Sequence, residues 1–205
     1  AYEQFRRSLQ GLDPIAGRPA VAIRVVDDNA QGFTNLTHAW TLFAESDKKG
    51  EASKRGRFNL GEKLVLALCE EAEIVTTTGG VLFDGGGRHK LRRTTAYGST
   101  FSGIMKMTRK ELAETMTVLD TLIPPVDVKT TVNGLELSHR IALATVAAEL
   151  PTEVADADGN LKRSTRKTSV HFYLPRRGEK PTIYELGIPV VQHDGKHHVD
   201  VAQKV

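Results

Sequence analysis

The chain's strongest constraint is a β-branched run that stops in an acidic, glycine-containing turn, VVDDNAQGF (25–33). Downstream, a glycine-bounded loop opens a helical pattern, RGRFNLGEKLVLAL (55–68). A strand ending this way sets a carboxylate at its tip, beside backbone that can approach a ligand closely at Gly32. The second segment delivers free backbone N–H groups at a helix start, where the helix dipole favours an anion. Together the two read as halves of one nucleotide pocket. Neither a G-x-x-x-x-G-K-S/T loop nor a G-x-G-x-x-G turn occurs in the sequence, which excludes the two commonest glycine-rich phosphate cradles.

Turn signals divide the rest. Residues 2–10 read as a helix closed by Gly11, GLDPIAGRP (11–19) as a breaker-rich connector, and AVAIRVVDD (20–28) as a strand. In NLTHAWTLFAES (35–46), Leu36, Ala39, Trp40 and Phe43 fall at helical spacing, which predicts a helix. DKKGEASKRG (47–56) is charged and aperiodic and reads as a mobile loop. A helix over residues 61 to about 71 is expected next, then strands EIVTTT and GVLFD turned around Gly79 and Gly80, an excursion GGGRHK (85–90), and a strand TTAYGSTFSGIMKMT (94–108). A helix begins near Thr108 with Glu111 placed for a capping box, and it stops before Pro124 and Pro125. The proline pair sets the expected boundary between a region 1–123 and a β-rich region 124–205. Asn133-Gly134, Asp158-Gly159 and Asp194-Gly195 are hairpin signals there, and SHRIALATVAAEL (138–150) fits helix or strand.

Three segments, in order and at matching spacing over roughly residues 20 to 110, resemble the GHKL ATPases, the superfamily of DNA gyrase, heat-shock chaperones, histidine kinases and mismatch-repair MutL. Asp28, Asn29, Ala30, Gln31 and Gly32 follow its D-x-G-x-G box. Gly56, Arg57, Phe58, Asn59, Leu60 and Gly61 follow the G-x-F-G-x-G box, and Gly98, Ser99, Thr100 and Phe101 match a strand carrying G-S/T-T. The resemblance implies an α+β Bergerat-type two-layer sandwich, a mixed sheet covered by helices on one face, followed by a β-rich, transducer-like region. It implies ATP and Mg²⁺ as ligands. Asp28 would accept a hydrogen bond from the adenine amino group and share an ordered water with Thr100, and the backbone around Ala30 and Gly32 would pass close to the nucleotide. Gly56 and the backbone of Asn59, Leu60 and Gly61 would receive the phosphates. Lys63 adds a charge, and Ser46 and Lys48 lie in the segment corresponding to the ATP lid.

The resemblance also implies nucleotide-driven lid closure and homodimerisation, with DNA transactions as the setting. Ala30 and Asn59 stand where that superfamily has glycine. Its helix motif E-x-x-x-N, which activates water and holds magnesium, is missing, and the opening AYEQFRRSLQGLDP looks like the stretch that comes after it. The chain therefore reads as a fragment that binds ATP without hydrolysing it. Two alternatives stand beside this reading, a non-catalytic nucleotide-sensing or protein-interaction domain and a phosphotransfer module of the histidine-kinase branch.

Composition adds limits. A hydrophobic content of 40% suffices for a real core. Lys and Arg outnumber Asp and Glu by 28 to 25, so the net charge of +3 does not by itself indicate nucleic acid. The basic clusters RHKLRR (88–93), LKRSTRK (161–167) and PRR (175–177) read as solvated loop faces. Cys69, the only cysteine, forms no intrachain disulfide and reads as a buried helix position. No apolar run approaches the ~20 residues of a membrane span and no signal peptide is recognisable, which favours a cytoplasmic protein. His193 and His197 with His198 adjacent have ligand-like spacing, but they flank Asp194-Gly195 and read as hairpin residues, not a metal site.

Overall fold

The structure, a computed structural model, describes residues 19–28, 31–33, 35–41, 61–155 and 161–203. These fall into two compact units, one reaching Ala113 and one from Glu114 onward.

The first unit is built on one antiparallel sheet. Its strands are β1 (Ala20–Asp27), β2 (Cys69–Thr76), β3 (Gly79–Asp84), β4 (Gly87–Leu91) and β5 (Ser99–Lys106), in the spatial order β1-β5-β2-β3-β4. Ile74 stands opposite both Val81 and Phe101, and Val25 opposite Phe101, so one face carries a continuous apolar row. On that row pack a 3-10 turn (Leu36–Ala39) and the helix α1 (Gly61–Leu68), which form a core of Ala39, Ile74 and Val81 with Phe33, Leu36, Trp40, Leu66, Phe83 and Phe101 around it.

These elements correct the expected fold class. Among the described residues strand accounts for 48% and helix for 15%, and the first sheet is wholly antiparallel, not a mixed sheet under a helical layer. The physical reason lies in the helices. The one expected from residue 61 to about 71 ends at Leu68, because Cys69–Thr76 pair with β3 and β5 instead, and α1 leaves Leu64 and Leu68 exposed. The helix expected over 35–46 is, as far as residue 41, a single 3-10 turn capped by Asn35, whose side chain accepts the Thr37 N–H. Helix α2 (Arg109–Thr121) begins at its expected capping box and ends before the prolines, but it buries no side chain completely. Cys69 opens β2 instead of lying in a helix, and partial burial pushes its thiol pKa up.

The second unit holds a short hairpin, β6 (Thr131–Val132) with β7 (Leu135–Glu136), and a five-stranded sheet. The strands β8 (Ala144–Ala155), β9 (Leu161–Tyr173), β10 (Thr182–Glu185), β11 (Ile188–Gln192) and β12 (His198–Val201) lie in the order β11-β10-β12-β9-β8. All pairs are antiparallel except β10 with β12. Asn133 and Gly134 take the positive φ values, 51° and 80°, of the hairpin their dipeptide announces. Asp194-Gly195 makes no hairpin, because β10 lies between β11 and β12. The hairpin of β10 with β11 turns instead at Leu186 and Gly187, with φ of 51° and 78°. Asp158 and Gly159 lie outside the described residues, between strands that do pair. The ambiguous segment 138–150 resolves as extended chain entering β8. RHKLRR and LKRSTRK, read as loops, are largely β4 and β9. Among the described residues, no helix is long and apolar enough to cross a membrane.

Candidate functional site

At the end of the first sheet where β1 and β2 stop and β5 begins, three consecutive threonines hold the segment that comes after the acidic turn. The Thr77 hydroxyl donates to the Gln31 carbonyl, Thr76 Oγ1 accepts the Phe33 N–H at 2.8 Å, and the Thr78 hydroxyl donates to the Phe33 carbonyl at 2.9 Å. Thr76 is fully buried and its hydroxyl is saturated. It also accepts from Ser99 Oγ at 3.2 Å and donates to the Gly98 carbonyl at 3.3 Å, which takes a second hydroxyl from Thr95 at 3.0 Å.

Backbone packing at this seam is too tight for side chains. Gly32 and Gly98 both have positive φ, 78° and 56°. A Cβ on Gly98 would overlap the Asp27 carbonyl, and one on Gly32 would overlap Thr76 Oγ1 and the Gly98 carbonyl. Only glycine meets both conditions, which gives these two positions a physical reason.

The ladder between β1 and β5 then fixes where the acidic residues stand. Val26 is opposite Thr100 and Asp27 opposite Ser99, which is in turn opposite Thr76. Strand alternation places Asp27, the last residue of β1, on the face of the Ile74–Val81 core, and Asp28 follows just beyond the strand with its Cα beside Gly98. Asp28 is exposed and Thr100 half-buried. Asp28, Gly32 and Thr100 thus gather at one sheet end. Lys63, in α1, is buried and donates to the His38 carbonyl of the 3-10 turn. Gly61 opens α1. Ala30, Ser46, Lys48, Gly56, Asn59 and Leu60 lie outside the described residues. The residues missed in the sequence are Thr76, Thr77, Thr78 and Thr95, and Ser99 was read only as part of the G-S/T-T match. Their signal was visible as a hydroxyl run at a strand end, TTT, and as the S of GST.

The second unit has a buried ionic cluster that no sequence motif announced. Arg140, its side chain 4% exposed, forms a two-pronged ion pair with Glu179, at 2.8 and 2.6 Å. The Glu179 carboxylate also accepts the Arg176 N–H at 2.7 Å and meets His198 Nε2 at 2.9 Å. The Thr182 N–H donates to His198 Nδ1 at 3.2 Å, so Nδ1 carries the lone pair and Nε2 the proton given to Glu179. The Tyr184 ring packs edge-on to His198 with centroids 5.2 Å apart. The Arg140 guanidinium, first, and the His198 and Arg176 hydrogen bonds hold the Glu179 carboxyl down at about 2, against burial. Arg140, Glu179 and His198 each pair within the cluster, which suits a structural lock, and the Arg140 Nε is buried with no hydrogen-bond partner among the described residues.

Among the described residues, no three His, Cys, Asp or Glu side chains are grouped so as to hold a metal ion, and the E-x-x-x-N motif that would bring magnesium is lacking. Comparison with protein-family models, with curated proteins and with solved structures finds no match.

Proposed function

We propose that the chain is an adenine-nucleotide-binding module of GHKL-like type whose base-recognition edge is the end of the first sheet at Asp28, Gly32 and Thr100. The observation that carries this reading is the β1–β5 register. It ends with Asp27 opposite Ser99 and Val26 opposite Thr100, so Asp28, the next residue of the chain, follows at the same sheet end as Thr100, beside a seam where Gly32 and Gly98 leave no side chain in the way. Diagonal positions on neighbouring strands are ~7–8 Å apart, a distance that one ring nitrogen and one water bridge. A carboxylate accepts from the adenine amino group, whereas guanine presents a carbonyl at the same place and repels it. The hydroxyl of Thr100 can donate to or accept from the shared water. Threonines 76 to 78 hold Gln31 and Phe33 in place before ligand arrives, which lowers the ordering cost of binding.

Titration calorimetry with ATP and GTP tests the reading. ATP should bind and GTP should bind more weakly. Asp28→Asn replaces an acceptor-only group with an amide and should cost about 1.5 to 3 kcal/mol, roughly ten- to a hundredfold in Kd. Asp27→Asn is the companion variant, because Asp27 stands in the Ser99–Thr76 row on the other face. Loss of binding in Asp27→Asn with none in Asp28→Asn would move the base to that face. Equal affinity for ATP and GTP would remove adenine recognition altogether.

A further inference from the structure

The basic run RHKLRR is an edge. Among the described residues β4 pairs only with β3, and Arg88, His89, Lys90, Arg92 and Arg93 are all exposed on or just after it. Two of these have carboxylate partners, His89 with Asp84 at 3.1 Å and Arg93 with Glu73. Among the described residues Arg88, Lys90 and Arg92 have none. Arg88 is opposite Phe83 and Lys90 opposite Val81, so both cations project on the face that carries the aromatic cluster. The Arg88 guanidinium lies over the Trp40 ring, 4.3 Å from its centroid, and Trp40 meets Phe83 edge-on with centroids 6.3 Å apart.

We infer that the β4 edge binds single-stranded nucleic acid. Alternate residues of a strand repeat every ~6.6 Å. Arg88 and Lys90 stand at that spacing, Arg92 follows just past the strand end, and these cations, without carboxylate partners among the described residues, can meet successive phosphates of an extended strand. The layered Arg88–Trp40 pair supplies a flat cationic surface on which a base can stack, whatever its sequence. A duplex would bury its bases away from that surface. The plain alternative is that charge on an edge strand prevents edge-to-edge sheet pairing, a role indifferent to the sign of the charge. The inference concerns different residues from the nucleotide site and stands without it.

The test uses the whole chain and a labelled oligothymidylate long enough to span the edge, read by anisotropy and by the emission of Trp40, the only tryptophan. Expected is binding at low salt with a change in Trp40 emission. Three phosphate contacts give a slope of log K against log salt of about −2 for a single strand. Lys90→Glu with Arg92→Glu keeps the edge charged and should weaken binding at least tenfold. The neutral pair Lys90→Gln with Arg92→Gln should weaken it less and flatten the slope by about 1.4. Circular dichroism and sedimentation check that both variants stay folded and monodisperse. No binding at low salt would overturn the inference. So would undiminished affinity in either folded double variant, or tighter binding of a duplex of the same length.

Discussion

The first unit fastens its polar seam with neutral hydroxyls and backbone, the second with a buried charge cluster. In the first, Thr76, Thr77, Thr78, Thr95 and Ser99 satisfy carbonyls and N–H groups of the segments around Gln31, Phe33 and Gly98. In the second, Arg140, Glu179 and His198 pair with one another, and only the Arg140 Nε among their buried polar atoms is left without a partner among the described residues. A hydroxyl is neutral, so losing one leaves uncharged donors or acceptors unpaired, each at modest cost. Losing a member of an ionic cluster strands a charge in a place where water cannot reach it. The two seams should therefore fail by different amounts and under different conditions.

The largest expected effect is Glu179→Gln. It leaves the Arg140 guanidinium, which is almost inaccessible, without its counter-charge, and should cost about 3 to 5 kcal/mol of stability. Urea unfolding monitored by tyrosine near-ultraviolet dichroism reads it, since Tyr173 and Tyr184 belong to that core. Trp40 emission, which reports the first unit, should persist at denaturant concentrations where that signal is gone. Loss of both signals together would break the comparison. Acid should act on the same seam. The Glu179 carboxyl is held at about 2 when folded, below its ordinary 4.5. Its contribution is complete above pH 4.5 and declines as pH falls from there toward 2.

Next comes Gly98→Ala in the first unit. The left-handed conformation alone costs a non-glycine residue about 1 to 3 kcal/mol, and the added Cβ also meets the Asp27 carbonyl. Thermal melting by Trp40 emission should fall below that of wild type, with nucleotide binding lost in the fraction that stays folded. An unchanged melting point would mean that the β1–β5 seam is looser than its geometry states.

This difference between the seams also explains what the sequence made legible. Local chemistry was readable. The capping box at Thr108 and Glu111, the Asn133-Gly134 turn and the strand ending in Asp27 and Asp28 each depend on residues a few positions apart. So did part of the candidate site, because the acidic turn and G-S-T are short motifs, and the ladder sets them side by side. Competition between elements was not readable. LALCEE has helical periodicity, yet its second half pairs with β5, more than thirty residues away in sequence, and the helical layer expected over the sheet shrinks accordingly. Arg140 and Glu179 are 39 residues apart, and Glu179 and His198 19 apart, so no spacing rule links them. The Leu186 turn escaped notice because leucine is the wrong residue for a positive φ, held here by Leu186 N–H bonding to the Val201 carbonyl.

Thr76→Val sharpens the neutral side of the comparison. Valine keeps the shape and removes the acceptor of the Phe33 N–H, leaving an unpaired donor that should cost about 1 to 3 kcal/mol. Thr76→Ser keeps the hydroxyl and should recover most of the loss. Urea titration of Trp40 emission compares the two. Equal destabilisation in both would assign the effect to the missing methyl and its packing, and would deny the hydroxyl its part in holding the turn.

The smallest effect should come from Glu111→Gln, the exposed counterpart of the Glu179 substitution. Glu111 also accepts a backbone N–H, that of Thr108 at 2.7 Å, and this bond, with that of the Thr108 hydroxyl, lowers its carboxyl pKa as well. Both carboxylates thus share chemistry and direction of shift. They differ in setting, since Glu111 is exposed whereas Glu179 pairs with the buried Arg140. A glutamine in the capping box can still accept from the Thr108 N–H, while the Thr108 hydroxyl continues to accept from the backbone N–H of residue 111 at 3.2 Å. The melting midpoint of Glu111→Gln should accordingly match wild type at neutral pH. A loss comparable to that of Glu179→Gln would show that the carboxylate's hydrogen bond to backbone, and not the burial of its cationic partner, sets the size of the larger effect.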